Sequence, residues 1–205
     1  MRRAGTAVIL CGGKSSRAGF DKQLLPCEGT TLPNAIARTL QALFPEIIIV
    51  TNTPDRYADC GFVVVEDFVK DAGPLAGIFT GLSHASSEYA YVIAGDMPYP
   101  NLGYIEWMTG LLHTGRVTAV AAREGHEHIE PFNSIFAARC APFMEASLTR
   151  GERSVSRFLR GCDGVVFVPE EDARRFSPNW SMFASINTRT DVERFLARER
   201  VPCPT

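Results

Sequence analysis

Three glycines and three cations follow directly on a short apolar run: Leu10-Cys11-Gly12-Gly13-Lys14-Ser15-Ser16-Arg17-Ala18-Gly19-Phe20-Asp21-Lys22. Glycine backbone can approach phosphate oxygens closely and present its N–H donors to them. Arg17 would add a planar fork and Lys22 a point charge, both suited to phosphate. Three further polar groups close apolar runs: Asn52 after Thr51, Asp67 after Glu66, and Asp96 after Gly95. A carboxylate such as Asp96 is the hard oxygen donor that Mg²⁺ takes together with phosphate oxygens. The set suits a nucleoside triphosphate held with a divalent ion. Simpler roles remain open for each residue alone. Gly12-Gly13 would serve as a plain turn, Lys14 and Arg17 as solvated charges, and Asp67 and Asp96 as helix caps.

What gives these residues a common location is the order of elements. Thr6–Leu10, Ile47–Val50, Phe62–Val65, Tyr89–Ala94 and Val117–Ala122 read as strands. Leu32–Phe44, Leu75–Leu82 and Leu102–Leu112 read as the helices between them, with Thr31 as a cap and Pro33 in a first turn. Strands apolar on both faces, alternating with helices, predict a three-layer, Rossmann-like α/β domain. Its open sheet is mostly parallel, with helices on both faces. Ligands of such sheets bind outside the carboxyl ends of the strands. Gly12, Asn52, Asp67 and Asp96 would then share one rim. In the second half, Pro131–Ala137 and Gly164–Val168 suggest strands; Pro142–Leu148, Ser154–Leu159 and Asp191–Arg200 suggest helices. Nothing repeats and no low-complexity linker intervenes, so residues 1–205 read as a single domain.

Composition narrows the class. The formal net charge is −2 over 205 residues, which gives no reason to expect nucleic acid or an anionic membrane as partner. No apolar run approaches the roughly 18 residues of a membrane span, and Thr6–Leu10 is too short for a signal-peptide core. The six cysteines lie far apart without a CxxC pair, which favours reduced thiols in the cytoplasm over zinc or disulfides. His126 and His128, in Arg-Glu-Gly-His-Glu-His-Ile-Glu, read as part of a solvated loop. A P-loop ending at Gly13-Lys14-Ser15 would need glycine where Val8 stands. The dinucleotide fingerprint is missing from the first loop, and there is no nucleophile elbow.

The assembled residues resemble the molybdenum cofactor guanylyltransferases of the nucleotidyltransferase superfamily. The family's opening pattern, close to LAGGxSxRMGxDKxLL, stands here as Leu10 to Leu25; its GPLAGI segment is Gly73–Ile78. Gly95-Asp96-Met97-Pro98 is similar to the family's metal-binding strand end, and Ser185–Asp191 to its N-x-N-T-x-x-D/E segment. Three departures are Cys11 for the usual Ala, Ala18 for Met, and Ser185 for Asn.

The resemblance implies that Leu10, Gly12, Gly13 and Lys22 bind GTP, with Arg17 beside the phosphates. It also implies that Asp67 contacts the nucleoside, Asn52 lies at the nucleotide, Asp96 holds nucleotide and Mg²⁺, and Asn187 and Pro131 face the pterin. The implied reaction transfers GMP from GTP to the molybdopterin cofactor and releases pyrophosphate, with Lys22, Arg17 and Asp96 offsetting the charge. Other proteins that make or accept the cofactor are the implied partners. Two alternatives stand beside it: a relative using CTP or another phosphorylated acceptor, and a non-catalytic nucleotide-binding adaptor in cofactor delivery.

Overall fold

Runs such as Ala7-Val8-Ile9 and Ile47–Val50 bury consecutive residues, so both faces of their strands must be covered. The computed structural model of the chain, which describes residues 4–12, 24–70, 72–114, 116–125 and 127–199, shows how. In chain order the first half consists of β1 (Ala4–Leu10), β2 (Pro26–Cys27), β3 (Thr30–Thr31), α1 (Leu32–Leu40), β4 (Glu46–Thr51), β5 (Val63–Glu66), α2 (Pro74–His84), β6 (Tyr89–Ala94) and α3 (Leu102–Gly110). The second half adds β7 (Ala119–Glu124), β8 (His128–Ile129), β9 (Ser134–Ala137), α4 (Ala141–Thr149), α5 (Val155–Arg160), β10 (Val165–Pro169), α6 (Glu170–Arg174) and α7 (Arg189–Glu199).

The sheet has eight strands in the order β10-β7-β9-β6-β1-β4-β5, with β8 paired to β7. β5, β4, β1 and β6 are mutually parallel, as expected. β9 runs antiparallel to both β6 and β7, so β7 regains the direction of β6, and β10 follows it in parallel. The mostly parallel α/β sheet therefore presents the ends of β5, β4, β1, β6 and β7 along one edge.

Val8 and Leu10 face α2. A Cβ at Gly81 would overlap the Val8 side chain, and one at Gly77 would come 3.2 Å from Leu10 Cδ2. Glycine at these two helix positions lets α2 lie directly on β1. The opposite face carries Ala7 and Ile9, both fully buried. Thr31 takes the cap position of α1 and Pro33 its first turn, yet the Thr31 hydroxyl makes no cap bond and is buried without a partner. Three pieces escape the sequence patterns: the β2–β3 hairpin, the two-residue β8, and α6. Each is too short to display a period. Among the described residues, no helix is long and apolar enough to cross a membrane.

Candidate active site

Strand register fixes the heights of the functional side chains. Leu10 lies level with Val50 on one side and Ala94 on the other, while Thr51 pairs with Glu66. Each chain leaves the sheet just beyond that row, through Cys11-Gly12, Asn52, Asp67 and Gly95-Asp96. The parallel arrangement alone thus gathers the four strand ends.

Main-chain and hydroxyl bonds hold the exits together. The Cys11 amide donates to Val50 O at 2.7 Å, and the Gly95 amide to Leu10 O at 2.9 Å. Thr51, fully buried, donates its hydroxyl to Cys11 O at 3.2 Å and accepts from the Thr53 amide at 3.1 Å. At Gly95, a Cβ would sit 2.8 Å from Cys11 Sγ and 3.3 Å from Leu10 O. Only glycine lets β6 turn out this close to the exit of β1. Burial pushes the Cys11 thiol up to about 12; the Tyr57 hydroxyl pulls the other way, and the nearby charge of Asp96 adds to the rise. Cys11 is therefore packing beside the loop, held as the neutral thiol.

Asp96 is half-buried at the end of β6. Its carbonyl accepts from the Ile186 amide at 2.9 Å, which brings the C-terminal segment to the same rim. The helix-cap reading of its carboxylate fails, because α3 is capped by Asn101, whose side chain accepts from the Tyr104 amide at 2.9 Å. The Asp67 carboxylate accepts from the Thr80 hydroxyl at 3.0 Å and the Val69 amide at 3.3 Å, both on Oδ1. It too caps no helix: it ties the loop after β5 to the middle of α2. Oδ2 of Asp67 lies 3.8 Å from where a Cβ on Gly77 would stand, beside Leu10. Burial raises the Asp67 carboxyl above its ordinary value, against the pull of these two hydrogen bonds.

Asn52 is half-buried, and its Nδ2 lies 3.9 Å from a Cβ position on Gly12. Its side-chain amide oxygen, Oδ1, is buried with no hydrogen-bond partner among the described residues. Such an orphan is costly unless something supplies a donor. Leu10, Gly12, Asn52, Asp67 and Asp96 are thus brought together. Gly13, Lys14, Arg17 and Lys22 lie outside the described residues. Asn187 follows Ile186 and is exposed, with its amide donating to Asp191 Oδ2 at 3.0 Å. The rest of that segment is structural: Thr188 donates through both its amide and its hydroxyl to Asp191 Oδ2, and the Asp191 amide returns a bond to the Thr188 hydroxyl. This reciprocal capping box starts α7. Pro131 O accepts from the Ser134 hydroxyl at 2.8 Å just before β9.

Sequence reasoning missed Thr51 and Thr80. Both act through the residues they hold, and no motif announces a threonine whose task is to fix a neighbour's carbonyl or carboxylate.

A mostly parallel sheet whose rim carries the Cys11-Gly12 exit, an orphaned amide oxygen and two carboxylates not used as helix caps has the architecture of a nucleotidyltransferase. Residues 7–174 match the family of MobA-like NTP transferase domains, and the chain belongs to that family. It is 44% identical to a molybdenum cofactor guanylyltransferase from Syntrophotalea carbinolica, over 93% of this chain and 90% of that protein. It is 39% identical to a probable molybdenum cofactor guanylyltransferase from Peptoclostridium acidaminophilum, over 93% of this chain and 88% of that one. In fold it is similar to the crystal structure of molybdopterin-guanine dinucleotide biosynthesis protein A from Archaeoglobus fulgidus, with a TM-score of 0.79. That alignment covers 94% of this chain and 99% of the other, at 22% identity.

Proposed function

We propose that this chain transfers GMP from GTP to the terminal phosphate of the molybdenum cofactor. An oxygen of that phosphate attacks the α-phosphorus, the bond from the α-phosphorus to the bridging oxygen breaks, and pyrophosphate leaves, yielding the guanine dinucleotide form of the cofactor. The attacking group is already an anion, so no protein nucleophile is required. The obstacle is mutual repulsion of anions and the charge that builds on the leaving pyrophosphate.

The observation that carries this reading is Asp96: a half-buried carboxylate at a strand end, beside the Cys11-Gly12 exit, with the neighbouring helix capped by another residue. A single hard oxygen donor next to phosphate-binding backbone fits Mg²⁺, which takes one or two carboxylates and fills its shell with phosphate and water. When bound, that ion would supply a Lewis acid for the phosphate oxygens. Gly12 and Gly13 would offer main-chain donors to the nucleotide, Lys22 and Arg17 would neutralise its phosphates, and Asn52 and Asp67 would meet the nucleoside. Asn187 would face the pterin. We read the chain as one domain acting in the cytoplasm, with cofactor-making or cofactor-accepting proteins as its partners.

The test is pyrophosphate release by the purified protein given Mg²⁺, the molybdenum cofactor, and GTP or CTP in turn. Release with GTP alone, lost in Lys22→Ala, is expected. Preference for CTP would move the protein to a cytidylyl relative, and nucleotide binding without release would make it an adaptor.

A further inference from the structure

The hairpin of β7 and β8 carries a second cluster of donor groups. Glu124 lies directly across from His128, and Glu130 is two residues beyond His128 on the same strand path, its amide donating to Ala122 O at 2.9 Å. Side chains alternate along a strand, so positions 128 and 130 share a face, and the cross-strand partner 124 joins them. Arg123 and Ile129, the next pair along, fall on the other face. One donor atom from each of Glu124, His128 and Glu130 lies within 4.8 Å of the other two. His128 Nε2 is 3.3 Å from Glu130 Oε1.

We propose that Glu124, His128 and Glu130 form a divalent-metal site whose donor set suits Zn²⁺. Imidazole with two carboxylates is a zinc set, whereas Mg²⁺ prefers oxygen donors only. Three protein ligands leave a position for water or a ligand oxygen. The alternative, a plain His128–Glu130 ion pair, leaves two carboxylates facing each other with one exposed imidazole between them. Among the described residues, no Lys or Arg forms an ion pair with either glutamate. Glu130 bears the cost of that arrangement: its side chain is only 16% exposed, against 63% for His128. A divalent cation would remove the repulsion.

The position of the site gives it interest beyond the hairpin. Tyr91 and Val120 both pair with Ile135, so Gly95 and Glu124, each four residues further on, stand at the same height. The metal site therefore occupies the same rim as Asp96, two strands across, roughly 10 Å away at ordinary strand spacing.

The test uses the intact chain after chelation, titrated with Zn²⁺ in excess Mg²⁺, with binding and thermal unfolding both read. One equivalent of Zn²⁺ is expected to bind and raise the melting temperature, since a ligand that binds only the native state stabilises it. His128→Ala and Glu130→Gln are each expected to weaken Zn²⁺ binding at least tenfold and to abolish the shift. Because His128 is largely exposed, its replacement should leave the metal-free melting temperature unchanged. His126→Ala is expected to bind normally. Equal binding by the His128 and Glu130 variants, loss of binding in the His126 variant, or no bound Zn²⁺ at micromolar concentration would each overturn the proposal. A thiolate charge-transfer band on substituting Co²⁺ would also overturn it, because it would place the metal on cysteine.

Discussion

The Ile186 amide donates to the carbonyl of Asp96 at 2.9 Å, across 90 residues of chain. That bond brings the segment leading into α7 to the end of β6, beside the Cys11-Gly12 exit of β1. Ile186 is buried, so the connection has an apolar anchor beneath it. Asn187, the next residue, is thereby delivered to the rim by main-chain contacts rather than by its own side chain. The backbone of Asp96 thus does structural work that does not depend on its carboxylate.

This division predicts a clean separation by mutation. Asp96→Asn keeps the carbonyl that Ile186 uses and leaves the Asn101 cap of α3 intact. We expect unchanged thermal unfolding with turnover reduced by about 10²-fold or more, the order found when a group stabilising transition-state charge is removed. Asn101→Ala should behave in the opposite way. It loses the cap bond to the Tyr104 amide and the bond to Phe176 O at 2.9 Å, costing about 1 kcal/mol of stability. Pyrophosphate release and urea unfolding, run on both variants, check the pair. Near-normal release by a folded Asp96→Asn protein would refute the metal assignment.

Gly95 offers a test of how tightly the two exits are packed. In Gly95→Ala the new methyl meets Cys11 Sγ at 2.8 Å and Leu10 O at 3.3 Å. Overpacking of this kind costs about 1–3 kcal/mol, and relief would require β6 to move away from β1, taking Asp96 with it. Cys11→Ala removes the sulfur, so the double variant should recover part of the loss. A double-mutant cycle read by urea unfolding is expected to show coupling between the two sites. Strict additivity would mean that the sulfur and position 95 do not meet.

The parallel core and its rim were legible because long apolar runs and their polar ends carry the information locally. Ile47–Val50 and Tyr89–Ala94 could only be buried strands, and Asn52 and Asp96 had to fall where those strands stop. β9 was foreseen as a strand but its antiparallel direction was not legible, since four buried residues, Ser134–Ala137, read alike in either direction. The roles of Thr51, Thr80 and Ile186 were hidden too, because each depends on a partner 13 to 90 residues away. The Ser185–Asp191 segment shows the converse. As a motif it reads as one functional unit, while the structure divides it into a rim contact at Ile186 and a capping box at Thr188 and Asp191. The Glu124–His128–Glu130 cluster was concealed in a stretch that reads as polar loop, because only the strand pairing places position 124 opposite 128.

At the opposite end of the sheet, Glu46 gives a dependence on pH. Its carboxylate accepts from the Thr6 hydroxyl, and from the Ser86 amide and hydroxyl at 2.9 and 3.0 Å. Burial pushes the carboxyl up, but these donors outweigh it, and the net position is below the ordinary glutamate value. A depressed folded-state value means that the folded protein holds the proton less tightly than the unfolded chain. The contribution is therefore present above the unfolded value, and it fades as pH falls through the folded one. Comparing wild type with Glu46→Gln by urea unfolding, we expect the wild-type advantage to be constant near neutrality and to shrink as pH drops below about 4.3, the reference value for glutamate. An advantage that grows on acidification would reverse the assignment.

The last prediction concerns the buried join between β6, the start of β9 and the segment before Ile186. Asn133 is fully buried in the left-handed region at φ 56, a conformation that Asn tolerates better than most residues. Its Oδ1 accepts from the Tyr91 hydroxyl at 2.6 Å, and its Nδ2 donates to Met182 O at 3.2 Å. Burial holds the Tyr91 phenol well above its ordinary value, so it remains a neutral donor throughout the working range. Asn133→Ala strands both partners in a dry interior and leaves a Cβ on a left-handed backbone without the amide that compensates it. Each orphaned group costs about 1–3 kcal/mol, so we expect a loss of several kcal/mol in urea unfolding. Tyr91→Phe combined with Asn133→Ala should cost less than the sum of the two single changes, because the phenol no longer needs an acceptor. Since Met182 leads through Phe183 towards Ile186, the single variant should also weaken the hold on Asp96, and turnover should fall with stability rather than independently of it. Full turnover in a strongly destabilised Asn133→Ala protein would show that this join and the strand-end site are uncoupled.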